Sequence, residues 1–231
     1  MINVLVWCEN IQNKTQADVI AAYPEGMHNT IAEFLNAEPG ITAVAATLDD
    51  PECGVTDEVL AKTDVVLWWG HVGHAKVPDE IVEKLYKRVV EDGMGIICLH
   101  SAHYSKIFKR LMGATCGLSI TKPGYAAEKL WTLLPGHPIA AGIPNPVDIE
   151  IEESYNEYFD IPQPDELVFN AAFAGCGSFR AGAAYHRGRG KVFYFQPGHE
   201  TYPIYRQKEI QNIIINAVHW ANSPKPLFSV K

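Results

Sequence analysis

Residues Ile96 to Leu99 form a short apolar run between glycines (Gly93, Gly95) and the polar turn His100-Ser101, the pattern of a strand buried on both faces. A segment with helical spacing follows at once, Ala102 to Met112, carrying apolar Ile107, Leu111 and Met112 and ending at Gly113, which is placed to cap it. A buried parallel strand that turns straight into a helix delivers side chains to the carboxyl edge of its sheet. That edge is where open α/β sheets bind ligands. The sequence therefore sets His100 where chemistry happens.

The same unit recurs through the first half. Ile2 to Trp7 reads as a strand that ends in polar Glu9-Asn10. A loop of about twenty residues follows, long enough for a compact domain to suggest a functional role, and it closes on His28 after Pro24-Glu25-Gly26. From Asn29 a helix is expected, with Asn29 or Thr30 as cap, Ile31, Phe34 and Leu35 on one face, and Pro39-Gly40 as its stop. Ile41 to Leu48 is a second strand, Thr56 to Ala61 a short helix, and Asp64 to Trp69 a third strand that stops at Gly70-His71-Val72-Gly73-His74. A helix from Val77-Pro78-Asp79 to Val90 leads into the central strand. This β-α-β-α-β-α-β-α order predicts a parallel sheet covered by helices. The second half differs. Strand-like runs at Glu128–Leu134, Val147–Ile151, Glu166–Ala172, Gly182–Tyr185 and Lys191–Phe195, parted by Gly and Pro turns, predict an antiparallel extension before a last helix from Tyr205 to Ala221. With no repeat or linker, residues 1–231 read as a single domain.

Composition removes several function classes. A net charge of −8 argues against a nucleic-acid partner, which needs clustered Lys and Arg. No apolar run approaches a membrane span, and Met1 leads into a strand without a basic leader, so the cytoplasm is the expected compartment. The 5 cysteines (Cys8, Cys53, Cys98, Cys116, Cys176) have neither disulfide nor zinc-finger spacing, and Cys98 reads as a small core hydrophobe. A nucleophile elbow is also disfavoured, because neither Cys98 nor Ser101 has the flanking glycines of such a turn.

Histidines supply the chemistry instead. Three predicted strands end in His71, His100 and His199, and His28 closes the first loop, so four imidazoles are expected at one sheet edge. Imidazoles plus a carboxylate with an open position make a site for a divalent metal such as zinc, with Glu153 or Glu200 as the carboxylate. Taken singly, a strand-end histidine is more often a partner for loop backbone; the convergence raises the metal reading. His103 shares the His100 segment, while His137, His186 and His219 read as turn or surface residues. Trp68, Trp69, Tyr155, Tyr158 and Tyr202 could form a sugar-stacking wall, although core packing suits the tryptophans better. Glu153, His103, Tyr155 and Glu200 are thus candidate catalytic residues, and Trp69, His74 and Tyr202 candidate substrate contacts.

Taken together, Gly26-Met-His28-Asn-Thr-Ile, Trp68-Trp-Gly-His71, Gly95-Ile-Ile-Cys-Leu-His100-Ser-Ala-His103-Tyr, Gly136-His137-Pro-Ile, Glu153-Ser-Tyr155-Asn-Glu-Tyr-Phe and Gly190-Lys-Val-Phe-Tyr-Phe-Gln-Pro-Gly-His199-Glu-Thr-Tyr-Pro resemble the trehalose-utilisation ThuA family over nearly the full length. The matching motif positions are His28, His100, His137, Glu153 and His199. The resemblance implies a flavodoxin-like, class I glutamine-amidotransferase-like α/β fold without the amidotransferase cysteine. It also implies a role in catabolism of trehalose-type disaccharides, on 3-keto-glycosides made by a partner sugar dehydrogenase. A metal-assisted lyase, hydrolase or isomerase fits that substrate. The competing expectation is a sugar-binding or regulatory module on a degenerate amidotransferase scaffold. A two-carboxylate glycosidase is a third, without an obvious pair of carboxylates at fixed separation. Homo-oligomerisation is left open.

Overall fold

Four apolar runs of the first half line up as parallel strands because each is flanked by a helix long enough to cross back over the sheet. The computed structural model describes residues 1–222, apart from the side chains of residues 121–123. Strands β1 (Ile2–Cys8), β2 (Ile41–Thr47), β3 (Val65–Trp69) and β4 (Gly95–Leu99) pair parallel in the order β2-β1-β3-β4. Every residue of β3 and β4 is buried, which is why both read as unbroken apolar runs. Helices α1 (Ala17–Ala22), α2 (Met27–Asn36), α3 (Asp57–Lys62), α4 (Asp79–Val90) and α5 (Lys106–Met112) supply the connections, and Trp7 stacks on Trp68 with ring centroids 3.7 Å apart. Both of those tryptophans belong to the core.

Strands β5 (Ser119–Thr132), β6 (Val147–Asn156), β7 (Glu166–Phe173) and β8 (Gly177–Arg187) form the expected antiparallel extension. Strand β9 (Gly190–Phe195) joins the two halves, antiparallel to β8 and parallel to β4, in one sheet of order β2-β1-β3-β4-β9-β8-β7-β5-β6. Helix α6 (Lys208–Ala221) packs on β4 and β9. Cys8, Trp69, Leu99 and Phe195 fall in one row of the parallel register. Glu9, Gly70, His100 and Gln196 therefore leave the carboxyl edge side by side.

Several local expectations change. The long first loop contains a turn of helix at Gln12–Lys14 and then α1, and α2 starts at Met27 rather than Asn29, so His28 lies in a helix. Gly26 makes that start possible: its φ is +85°, and a Cβ there would come within 2.5 Å of the His28 ring. The segment after β4 is not one helix. A tight turn of helix covers His100–Tyr104, and Ser105, extended and accepting the Phe108 N–H at 3.2 Å, starts α5 anew. Gly113 caps α5 in the left-handed conformation, as its position implied. Strand β6 continues through Glu153 to Asn156, because residues 152–155 are covered on both faces and show no alternation to read.

Candidate functional site

The turn out of β4 places His100 at the bottom of the site. Its φ is +51°, a left-handed conformation that a non-glycine residue adopts only when its surroundings hold it there. The passage from β4 into the helical turn His100–Tyr104 is thus sharp and strained, with an imidazole at the strained position. His100 is fully buried; Nδ1 donates to the Gln196 carbonyl at 2.8 Å, and Nε2 lies 3.1 Å from Glu153 Oε2 and 3.2 Å from the Tyr155 hydroxyl. Burial alone would lower its pKa, but the hydrogen bond to Glu153 and the charges of Glu152, Glu153 and Glu200 raise it to about 9. Against the same burial, the His100 contact holds the Glu153 carboxyl below its usual range. Tyr155 stacks on His100 with centroids 5.0 Å apart and hydrogen-bonds Glu153 as well, so it orients the pair.

Strand β6 reaches this edge although it is the last strand of the sheet. Glu152, fully buried, accepts the backbone N–H groups of Gly198 (2.6 Å), His199 (3.2 Å) and Glu153 (2.7 Å). These bonds tie the end of β6 to the turn after β9 and fix where His199 stands. Gly198 permits the close approach, since a Cβ there would fall 2.0 Å from the Tyr205 hydroxyl. The His199 ring lies between His100 (centroids 5.4 Å) and His71 (6.0 Å), its Nδ1 engaged by Thr201 Oγ1 at 2.8 Å. Burial, then the neighbouring His100 charge, lower its pKa to about 4.

The third element is the turn after β3. Glu9, buried at the end of β1, accepts three backbone N–H groups, from His71, Val72 and Gly73, each at 2.8 Å. That carboxylate holds the turn that presents His71, whose Nδ1 meets Glu200 Oε1 at 3.0 Å. Glu200 is 2% exposed and also accepts from Gln12 Nε2. Burial would raise its pKa, yet His71, His199 and His100 together bring it down to about 2. Tyr125 and Tyr202 cover His199 from outside, with centroids 5.3 and 5.7 Å from its ring.

The structure thus brings together His71, His100, His199, Glu153, Glu200, Tyr155 and Tyr202. Among the described residues, His100, Glu153 and His199 offer ligand atoms that all lie within 4.8 Å of one another. Other candidates stand apart. His28 faces a small recess behind Glu200. His74 meets Tyr104, with centroids 6.1 Å apart, and burial lowers its pKa to about 4. His103 donates through Nδ1 to the Cys116 carbonyl at 2.7 Å and packs its ring edge-on against Tyr155, which it supports from behind. Trp69 is buried, its indole N–H donating to the Gly198 carbonyl at 3.1 Å, so it braces the site from below. His137 caps a turn, pairs with Glu166 at 3.0 Å and lies against Trp220, with ring centroids 5.5 Å apart. Sequence reasoning missed Glu9, Glu152, Gln12 and Tyr125. Only the buried, backbone-directed character of the first two distinguishes them, and that is a tertiary property.

A model of the family described as trehalose utilisation, ThuA, matches residues 3–221. A putative ThuA-like protein from Bacteroides uniformis superposes with a TM-score of 0.71 at 14% identity, over 97% of this chain and 93% of that one. A second, from Parabacteroides merdae, gives 0.68 at 16% identity over 99% and 92%. A putative GMP synthase component from Thermoplasma acidophilum gives 0.57 at 13% identity over 95% and 93%. At such identities the likeness concerns the fold alone. No curated protein matches the sequence. Among the described residues, no helix is long and apolar enough to cross a membrane.

Proposed function

The chain belongs to the trehalose-utilisation (ThuA) family, and on that premise we propose that it is an enzyme of disaccharide breakdown acting on a keto-sugar, with a divalent cation held by His100, His199 and Glu153 and proton transfer assigned to His71 with Glu200. The observation that carries the reading is the meeting of those two imidazoles and one carboxylate, from three strands far apart in the sequence, within a ligand's breadth. The residue types fit, with His100 anchored through Nδ1 by a backbone carbonyl. A cation would take the place of the contact between His100 Nε2 and Glu153, and His199 would free its Nε2 by carrying its proton on Nδ1 toward the Thr201 hydroxyl. Zinc suits two imidazoles and a carboxylate with an open position. Such a cation supplies Lewis acidity, which acidifies the C–H beside a ketone.

The chain's own groups do the rest. Glu200 takes the Nδ1–H of His71, sets its tautomer and leaves Nε2 as a base on the more exposed side of the site. Tyr125 and Tyr202 offer ring faces and edges to a sugar. In a 3-keto-glycoside, loss of the C2 proton to His71 returns the C–H electron pair toward C1 and expels the glycosidic oxygen, which takes up a proton from solvent and leaves as an alcohol, so that a double bond conjugated with the ketone remains. Water adding to that bond completes a hydrolysis; an isomer forms instead if the enolate is reprotonated, at C3 or on the other face of C2, before the C1–O bond breaks. A sugar dehydrogenase in the same compartment, taken here as the cytoplasm, would supply the ketone. Metal analysis of the purified chain together with incubation on 3-keto-trehalose tests the reading. Bound divalent metal and turnover are expected; neither metal nor turnover removes it.

A second reading is a sugar-binding module, in which the buried His100–Glu153 ion pair would brace the sheet edge. His100→Ala separates the two. A binder keeps most of its sugar affinity, whereas the enzyme loses metal and turnover together.

A further inference from the structure

Three buried side-chain atoms without a hydrogen-bond partner, Gln12 Oε1, His28 Nδ1 and Glu200 Oε2, belong to residues that line one recess behind the site. Those residues are 7%, 8% and 2% exposed. Orphan polar groups this deep are costly to leave dry, and native interiors satisfy them with protein groups or water. The Gln12 amide is oriented by chemistry: Nε2 donates to Glu200 Oε1, so Oε1 is the atom left for the recess. The space suits a single water-sized guest, and Cys8, Val19 and Met27 make much of the remaining wall apolar.

We propose that the recess holds one ordered water, donating to Gln12 Oε1 and Glu200 Oε2 and accepting from His28 Nδ1–H, through which His28 fixes the Glu200 carboxylate. Two acceptors and one donor match the two O–H groups and the lone pair of water. Among the described residues, the wall's Cys8, His28 and Glu200 do not bring their ligand atoms close enough together to hold a metal cation. Burial keeps the His28 imidazole neutral by lowering its pKa, which suits a ring that shares one proton with a neutral guest. His28 is then a positioning residue, one water removed from Glu200. The consequence for His71 rests on the catalytic reading above; the water does not.

High-resolution crystal structures of the full chain test this, as wild type, His28→Asn and His28→Phe. Asn places an amide N–H near the position of Nδ1, whereas Phe keeps the ring and removes the donor. The expected result is a single peak bonded to all three atoms in wild type, kept in His28→Asn, and lost in His28→Phe together with a rotated Glu200 carboxylate. An empty wild-type recess, direct pairing of His28 with Glu200 or Gln12, an anomalous signal from a metal ion, or a peak and carboxylate unmoved in His28→Phe would each overturn it. Turnover plays no part in this readout, so it fails or stands independently of the proposed reaction.

Discussion

His103 is held neutral inside the protein: burial, offset only in part by its bond to the Cys116 carbonyl, lowers its pKa from 6.5 to about 3. Between those values the unfolded chain takes up a proton that the folded chain refuses, so stability rises with pH through this window and is lost on acidification. His103→Asn keeps an N–H for the Cys116 carbonyl and removes the titration. Urea unfolding at pH 7 and pH 4 is expected to show wild type losing more stability than the variant; equal losses would contradict it. His100 behaves in the opposite sense, because carboxylates surround it and none faces His103 at hydrogen-bond distance among the described contacts. Two imidazoles three residues apart thus differ in charge through their neighbours, which is why neither role follows from the residue type alone.

At the scale of elements, the site depends on carboxylates that hold turns. Glu9 gathers the N–H groups of His71, Val72 and Gly73, and Glu152 those of Gly198 and His199. Glu9→Ala leaves three amides without that acceptor; with water admitted in its place, a loss of about 2–4 kcal/mol is expected. Chemical denaturation measures it, and faster amide exchange confined to residues 70–73 would locate it; an unchanged midpoint contradicts the role. The strand-end histidines were legible because a buried parallel strand announces its own carboxyl end, as Ile96 to Leu99 do for His100. Glu152 was not, since its partner Gly198 lies 46 residues away and leaves no local pattern. Gly26 and Ser105 moved two helix starts, the first through a left-handed backbone that only glycine takes easily and the second through its side-chain cap, each outweighing the apolar periodicity around it.

Over the whole molecule, one sheet carries both halves of the site. The parallel layer presents His71 and His100, β9 continues that layer to His199, and the antiparallel extension returns β6 so that Glu152 and Glu153 close over the same edge. The alternation of strands and helices foretold the first part and the Gly- and Pro-parted strands the second; the return of β6 onto the edge is a feature of the assembled sheet that no single segment encodes. The proposed chemistry begins with removal of a proton beside a ketone, and that step can be watched alone. Deuterium wash-in at C2 of 3-keto-trehalose in heavy water, followed by NMR, is expected with wild type and reduced by about 100-fold or more in Glu200→Gln, which disturbs the orientation of His71. Wash-in no faster than in buffer, or equal in wild type and variant, would contradict the assignment of this edge as a proton-transfer site.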